Sequence, residues 1–326
     1  MNIAIIGCGL IGAKRAKALG EHELVIAADT DILKARRICH IANCGAPTDN
    51  WQEAAMHPEV DIVVVATTNN WLTPIGLFAL EHNKHVLVEK PGARSAREIE
   101  PFVKRAKSSE RRVKVGFNLR YHPAIVKAKD IIDSGGMGEL MFLRGRYGHG
   151  GRIGYDKEWR ANPEVSGGGE LIDQGVHLID LSRWFLGDIE HVDGFVHTYF
   201  WDMPVDDNGF VSLRTKKNQM AWLHASCTEW KNMFCLEIYG KEAKIQIDGL
   251  GGSYGEERLS YYKMMPEMGP PETTAWEYPG EDKSWQNEFD DFVDCIVNNR
   301  PPNGGLNDAY EALVVVDKVY AGKYDR

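Results

Sequence analysis

The sequence predicts a two-domain protein of the α/β plus α+β class. A doubly wound parallel sheet is expected over residues 1–120, and a mostly antiparallel open sheet with helices on one face over residues 121–326. Three observations predict it. A glycine cluster, Gly7-Cys8-Gly9-Leu10-Ile11-Gly12, lies between an apolar run and a helical pattern. Short, wholly apolar runs then alternate with helical patterns as far as Gly116, as in a parallel sheet covered on both faces. From Gly138 onward the texture changes to short strands, separated by turn signals such as Lys216-Lys217-Asn218 and Gly240-Lys241.

Residues 2–7 read as a buried strand and 13–19 as a helix, so the G-x-G-x-x-G between them stands where a dinucleotide-binding turn belongs. Gly7 makes the turn, Gly9 lets a pyrophosphate approach the backbone, and Gly12 lets the helix lie close to the strand. The helix N-terminus attracts the phosphate charge. These are the marks of a Rossmann fold. A second strand, 23–28, ends at Asp29, close to the roughly 20-residue spacing at which an acid binds the ribose hydroxyls. A carboxylate there repels a 2′-phosphate and favours NAD over NADP, a preference that Arg36 and Arg37 moderate. Asp29 also suits a plain turn, since Thr30 and Asp31 follow. Strands at 61–66, 85–88 and 113–116 continue the alternation, with helices at 74–82 and 98–107. Ligands bind beyond the carboxyl ends of such strands. Lys90 sits at one of these ends, where Pro91 disfavours helical geometry and stiffens the turn.

Residues 117–123 read as the hinge, and a helix at 125–134 stops at Gly135-Gly136. Strands follow at 140–147, 192–201, 209–214, 220–227, 234–239 and 243–247, with one helix, 173–185, inserted early. Residues 249–282 are rich in Gly, Pro, Glu and Tyr and read as loop. Two helices close the chain, 285–297 with Phe289, Phe292, Val293 and Ile296 on one face, and 307–320, which is expected to pack back on the first domain.

The stretch Ser166-Gly167-Gly168-Gly169 precedes the inserted helix. Glycines lose more backbone freedom on folding than any other residue, so three together suit a place where the backbone passes close to something else. Asp173 and His177 are four apart and share one helix face. A carboxylate and an imidazole aimed together suggest a proton-transfer pair. The same residues also suit an acidic first turn and a half-buried histidine. Tyr147, His149, Tyr155, Trp159 and Arg160 fall in the approach to Asp173. Aromatic faces with hydrogen-bonding neighbours suit a polyhydroxylated ring, or packing between sheet and helix. Arg146, Arg152, Lys157 and Arg160 are candidates to meet an anionic group on the substrate. Trp184, Trp222 and Trp230 are expected in the core, and His122, His149 and His197 as structural or surface groups.

Composition narrows the partners. With 43% hydrophobic and 26% charged residues the chain reads as a soluble globular protein. A formal charge of −9, with no Lys/Arg run, argues against nucleic acid. The six cysteines show no C-x-x-C pair and no metal-ligand spacing, so reduced thiols and no metal are expected. No apolar stretch approaches the roughly 20 residues a membrane helix needs, and the opening strand has no charged leader. A cytoplasmic protein without a membrane partner is expected.

Taken together, the G-x-G-x-x-G unit, Glu89-Lys90-Pro91 after a strand, Gly116-Phe117-Asn118-Leu119-Arg120 at the hinge and Ser166-Gly-Gly-Gly-x-x-x-Asp173-x-Gly-x-His177 resemble the Gfo/Idh/MocA oxidoreductases. These are enzymes of the glucose–fructose oxidoreductase, inositol dehydrogenase and rhizopine-catabolism type. The resemblance runs in the family's order from the first strand to the last helix. It implies an NAD(P)-dependent oxidoreductase acting on CH–OH groups, with Lys90, Asp173 and His177 as the catalytic set. It extends the cofactor contacts from Gly7, Gly9, Gly12 and Asp29 to Leu10, Ile11, Thr67, Asn69, Glu89, Lys90 and Asn118. Substrate contacts are implied at Lys90, Arg120, Tyr147, Tyr155, Trp159, Arg160, Asp173 and His177. The family's Ala-Thr-Pro-Asn-x-x-His segment corresponds to residues 66–72, where Thr68 replaces the proline and Leu72 the histidine.

The implied reaction is NAD-dependent oxidation of a ring secondary alcohol of a sugar or nucleotide-activated sugar, carbon 3 favoured, to a ketone, or the reverse. A cyclitol (inositol) dehydrogenase is the alternative within this chemistry. A non-catalytic dinucleotide-binding sensor is the alternative outside it. Relatives bury the open sheet face against another subunit, so a homodimer or homotetramer is implied.

Overall fold

A computed structural model describes residues 1–267 and 269–322. The chain divides into two compact units. The first takes Met1–Asn118, Glu164–Gly167 and Trp285–Leu313. The second takes Leu119–Pro163, Gly168–Ser284 and the chain from Val314 onward.

In the first unit the chain runs β1 (Asn2–Ile6), α1 (Leu10–Lys17), β2 (Glu23–Ala28), α2 (Ile32–Ala42), β3 (Ala46–Thr48) and α3 (Trp51–Met56). It continues through β4 (Ile62–Val65), α4 (Asn69–Glu81), β5 (His85–Glu89), α5 (Ala96–Lys107) and β6 (Val113–Gly116). The six strands are parallel in the order β3-β2-β1-β4-β5-β6. Every residue of β4 and β5 is buried, which is why β4 and residues 86–88 of β5 read as continuous apolar runs. Asp31 caps α2 by accepting from the Leu33 amide, and Asn50 caps α3.

Two expectations change here. The helix placed at 74–82 begins at Asn69, with Pro74 inside it. A proline is tolerated in a first turn, which made Pro74 look like a start; here it sits deeper, where it cannot donate to the carbonyl one turn back. The stretch between Asp29 and Asp61, where the apolar runs mark no strand, holds α2, β3 and α3; β3 is only three residues long and contains Pro47.

A 3₁₀ turn, Asn118–Tyr121, carries the chain into the second unit, which continues with α6 (Pro123–Asp133) and β7 (Leu140–Gly148). A single turn, α7 (Pro163–Ser166), most of which counts with the first unit, precedes the glycine run; a π-helical turn (Leu171–Gly175) and α8 (Val176–Leu186) follow in the second. Strands β8 (Ile189–His197), β9 (Asn208–Thr215), β10 (Met220–Ser226), β11 (Met233–Gly240), β12 (Ala243–Asp248), β13 (Glu257–Lys263) and β14 (Glu272–Tyr278) follow. The sheet has eight strands in the order β14-β13-β12-β11-β7-β10-β9-β8, antiparallel except for the β7–β10 pair. Alternation along β11 and β12 turns Phe234, Leu236, Ile238, Ile245 and Ile247 to the buried face. Gly145 on β7 gives Leu178 of α8 room to lie against that face, 3.0 Å from where a β-carbon would stand.

The segment 249–282 is not simply loop: β13 and β14 form the edge of this sheet. Most of β14 is exposed, so it carries no apolar alternation to read. Trp222 and Trp230 are not core residues; they are 60% and 71% exposed. Trp222 lies on the outer face of β10, between the inward Ala221 and Leu223.

The chain closes with α9 (Ser284–Val297) and α10 (Leu306–Gly322). Phe289 and Phe292 of α9 complete the core of the first unit, against Ile3, Ile5, Leu24, Ile38, Ile62 and Val64. All six cysteines are free thiols, and no helix among the described residues is long and apolar enough to cross a membrane.

Candidate active site

The dinucleotide turn of the first unit explains its three glycines by three different constraints. Gly7 has φ +94°, and a β-carbon on it would collide with Ala66. One on Gly12 would collide with the Gly7 carbonyl. One on Gly9 would meet nothing within 4 Å. Gly9 precedes α1, whose N-terminus has no side-chain cap and no acidic residue in its first turn. Its amides and the space before Gly9 therefore suit a phosphate. Asp29 ends β2 and is tied into the same turn: its carboxylate accepts from the Cys8 amide at 2.8 Å and from the Asp31 amide at 2.9 Å. These residues fit a dinucleotide, with the pyrophosphate before Gly9 and the ribose at Asp29. Cys8 plays no chemical part. It is buried, donates to the Ala28 carbonyl, and burial beside Asp29 pushes its thiol up to about 12.

Lys90 lies in a tight turn just past β5, half-buried, with a cis peptide bond to Pro91; the Gly92 amide closes the turn on the Glu89 carbonyl at 3.0 Å. Glu89 is buried and paired with Arg15 of α1, Nε to Oε1 at 2.7 Å. Arg15 also meets Glu288 of α9 at 2.7 Å, and Lys114 of β6 lies 3.8 Å from the same carboxylate. Asn69 donates its side-chain amide to the Ser166 carbonyl at 2.8 Å, and the Thr67 hydroxyl donates to the Thr68 carbonyl.

In the second unit the glycine run has a specific neighbour. A β-carbon on Gly169 would collide with the Asp206 carbonyl, and one on Gly168 with the Tyr320 hydroxyl. The Asp206 carboxylate accepts from the Gly169 amide at 3.0 Å, the Leu171 amide at 2.8 Å and the Tyr320 hydroxyl at 2.9 Å. The π-helical turn then replaces the expected plain helix start. Such turns recur at functional sites.

Asp173 and His177 are 9% and 4% exposed. Arg160 donates to Asp173, Nε to Oδ2 at 2.9 Å, and its guanidinium lies 4.6 Å from the Trp159 ring centroid. The Tyr147 ring on β7 meets His177 edge-on, 6.0 Å between centroids, and Tyr254 at 5.5 Å. Tyr155 is buried and donates to Glu170 at 3.4 Å, and His149 Nε2 lies 3.4 Å from the other oxygen of that carboxylate. Burial, and then the carboxylates of Glu170 and Asp173, hold Tyr155 well above the usual phenol range; the Tyr147 hydroxyl is raised by burial, Tyr254 and the same two carboxylates. Burial chiefly pushes Tyr254 up to about 12.

The second unit thus brings together Tyr147, Tyr155, Trp159, Arg160, Asp173 and His177. Arg120 is differently engaged. It is buried and grips Asp180 of α8 with two bonds, 2.8 and 2.6 Å, bracing the helix one turn beyond His177. Arg146 alternates with Tyr147 on β7 and so faces the other side of the sheet. His122 is buried 3.0 Å from Glu257, and His197 is exposed. Sequence reasoning missed Glu170, Tyr254, Asp206 and Tyr320. Glu170 had one signal, its place directly after the glycines. Asp206 and Tyr320 reach the turn, and Tyr254 reaches Tyr147, across long separations that no local pattern marks.

Known proteins share the family and the fold of this chain. Residues 1–117 match the model of an oxidoreductase family with an NAD-binding Rossmann fold, and residues 125–246 match the GFO/IDH/MocA C-terminal domain. Levoglucosan dehydrogenase of Pseudarthrobacter phenanthrenivorans is 27% identical over 231 residues, 66% of this chain and 58% of that protein. Inositol 2-dehydrogenase of Salmonella typhimurium is 22% identical over 334 residues, 97% of this chain and 92% of that protein. Among solved structures, levoglucosan dehydrogenase in complex with NADH superimposes with a TM-score of 0.91 at 20% identity, over 100% of this chain and 97% of that one. UDP-N-acetylglucosamine 3-dehydrogenase from Acidithiobacillus ferrooxidans gives 0.83 at 18% identity, over 100% of this chain and 98% of that one. With a Rossmann unit and a C-terminal domain that both match one family in its order, the chain belongs to the Gfo/Idh/MocA oxidoreductases.

Proposed function

We propose that the protein is an NAD-dependent dehydrogenase that oxidises a ring secondary alcohol of a sugar to a ketone, carbon 3 favoured, or runs the reverse reaction. The observation that carries this reading is the burial of Asp173 and His177 on one turn beside Tyr147. Buried polar groups on an aromatic wall suit a polyol, apolar on its faces and polar on its rim.

In this reading His177 takes the proton from the reacting hydroxyl. Lys90 stabilises the developing alkoxide by charge and hydrogen bond. Asp173, held by Arg160, orients the ring. The glycines at 7, 9 and 12, with Leu10, Ile11 and Asp29, hold the dinucleotide, and Thr67, Asn69, Glu89 and Asn118 shape its nicotinamide side. NAD, when bound, supplies the hydride acceptor. The reading includes a cytoplasmic location, in keeping with six free thiols, and a homodimer or homotetramer formed through the outer sheet face.

Titration of NADH fluorescence, followed by a panel of sugars, sugar nucleotides and inositols with NAD, tests the reading. Oxidation of sugars in preference to inositols supports it; preference for inositols makes the protein a cyclitol dehydrogenase. Cofactor binding without turnover of any polyol leaves only a dinucleotide sensor. Lys90→Ala lowers the rate constant at least about 100-fold, and an unchanged rate constant removes Lys90 from the mechanism.

A further inference from the structure

We infer that the ring this protein acts on carries no anionic group: it takes an uncharged polyol and rejects the uronate, phosphate and nucleotide-diphosphate forms of the same ring. The inference rests on the polyol reading above and narrows its substrate class.

An anionic substituent needs a cation that is not already neutralised. The basic residues of segment 146–160 do not supply one. Arg160 is committed to Asp173 at 2.9 Å, with Glu158 3.8 Å away. Arg152 is paired with Glu158 at 2.6 Å. Arg146 stands on the opposite face of β7 from Tyr147. Lys157 is exposed, where water and salt screen its charge. Beside them sits Glu170, 1% exposed, a second buried carboxylate three residues before Asp173.

Two carboxylates thus face the same ring of side chains. Their effect is visible on neighbouring groups. After burial, the charges of Glu170 and Asp173 raise the Tyr155 and Tyr254 hydroxyls, and they add to the rise at Tyr147. Within the second unit, then, two buried carboxylates with one guanidinium, Arg160, between them oppose a further negative charge beside Tyr147 and Asp173. Like charges brought together at a binding surface cost several-fold to hundreds-fold in affinity, while hydroxyls are served by the same carboxylates as acceptors.

The test measures dissociation constants by calorimetry on the full chain saturated with NADH. Matched pairs are used: glucose with glucuronate and glucose 6-phosphate, N-acetylglucosamine with its uridine diphosphate form, and myo-inositol with its monophosphate. Each anion is expected to bind at least about 100-fold more weakly than its uncharged partner. Glu158→Gln relieves Arg152 and Arg160 of one carboxylate, and should narrow the glucose-to-glucuronate ratio about 10-fold. The inference is overturned if an anion binds as tightly as its partner, if Glu158→Gln leaves the ratio unchanged while the variant melts like the parent, or if no uncharged polyol binds. The polyol-oxidation reading fails separately. Uncharged polyols that bind but never reduce NAD sink that reading and leave this one; preferential oxidation of a charged sugar does the reverse.

Discussion

Gly169 passes so close to Asp206 that any β-carbon on it would run into the Asp206 carbonyl oxygen, while the Asp206 carboxylate accepts the Gly169 and Leu171 amides. The turn that carries Asp173 is therefore set by a residue of the connection before β9, far away in sequence. Gly169→Ala should cost about 2–3 kcal/mol of stability, since backbone must move to admit the methyl group. Gly9→Ala makes the contrast. Its β-carbon has open space, so the variant should melt like the parent. On the proposed placement of the dinucleotide its methyl group enters the space of the pyrophosphate, so the NADH dissociation constant should rise about 10-fold or more. Thermal melts and fluorescence titration of both variants check the pair. A Gly9→Ala protein with parental NADH affinity removes the pyrophosphate from that position.

Asp29 bears on cofactor choice. Its carboxylate is fixed by the Cys8 and Asp31 amides at the end of β2. Asp29→Ala should weaken NAD about 10-fold and narrow the gap to NADP, because the repulsion of a 2′-phosphate is gone. Binding constants for both cofactors give the answer; an unchanged ratio means that the discrimination lies elsewhere.

The parallel sheet and the dinucleotide turn were legible because β1, β4 and β5 are buried on both faces along residues 3–6, 62–65 and 86–88, each an apolar run. Edge strand β14 was not, because exposed residues have no partner to select them. Trp222 misled for a related reason: a large aromatic residue reads as core, and only the pleat of β10 shows that it points outward. At the candidate site, the i, i+4 spacing of Asp173 and His177 was readable, and so was the need for close approach at the glycines. What they approach was not, since Asp206 and Tyr320 lie 37 and 151 residues from Gly169. The π-helical turn had no local signature either.

The outer face of the second sheet offers a test of assembly. Phe142 stacks on Tyr239, Phe210 stacks on Phe195 and His224, and Trp222 and Met220 stand exposed beside them. Covering this face with a second copy removes apolar surface from water. Sedimentation should give a dimer or tetramer, and Trp222→Glu should shift it to monomer with NADH affinity retained. A parent protein that sediments as a monomer rejects the interface.

His85 marks a pH dependence. It is buried, its Nδ1 accepts the Arg112 amide, and burial with Arg111 and Arg112 lowers it from 6.5 to about 4. The unfolded chain therefore binds the proton first. The contribution of neutral His85 is fully present above pH 6.5 and is lost as pH falls toward about 4. Comparison of melts for the parent and His85→Gln across this window should show a steeper decline in the parent. Parallel declines would mean that His85 does not titrate there.

The central claim is that Lys90 and His177 serve one hydroxyl. A crystal structure with NADH and a bound polyol tests it most directly. The account predicts the Lys90 Nζ and an imidazole nitrogen of His177 both within roughly 3 Å of the same ring oxygen. A structure in which the polyol oxygen nearest the nicotinamide touches neither side chain would contradict it.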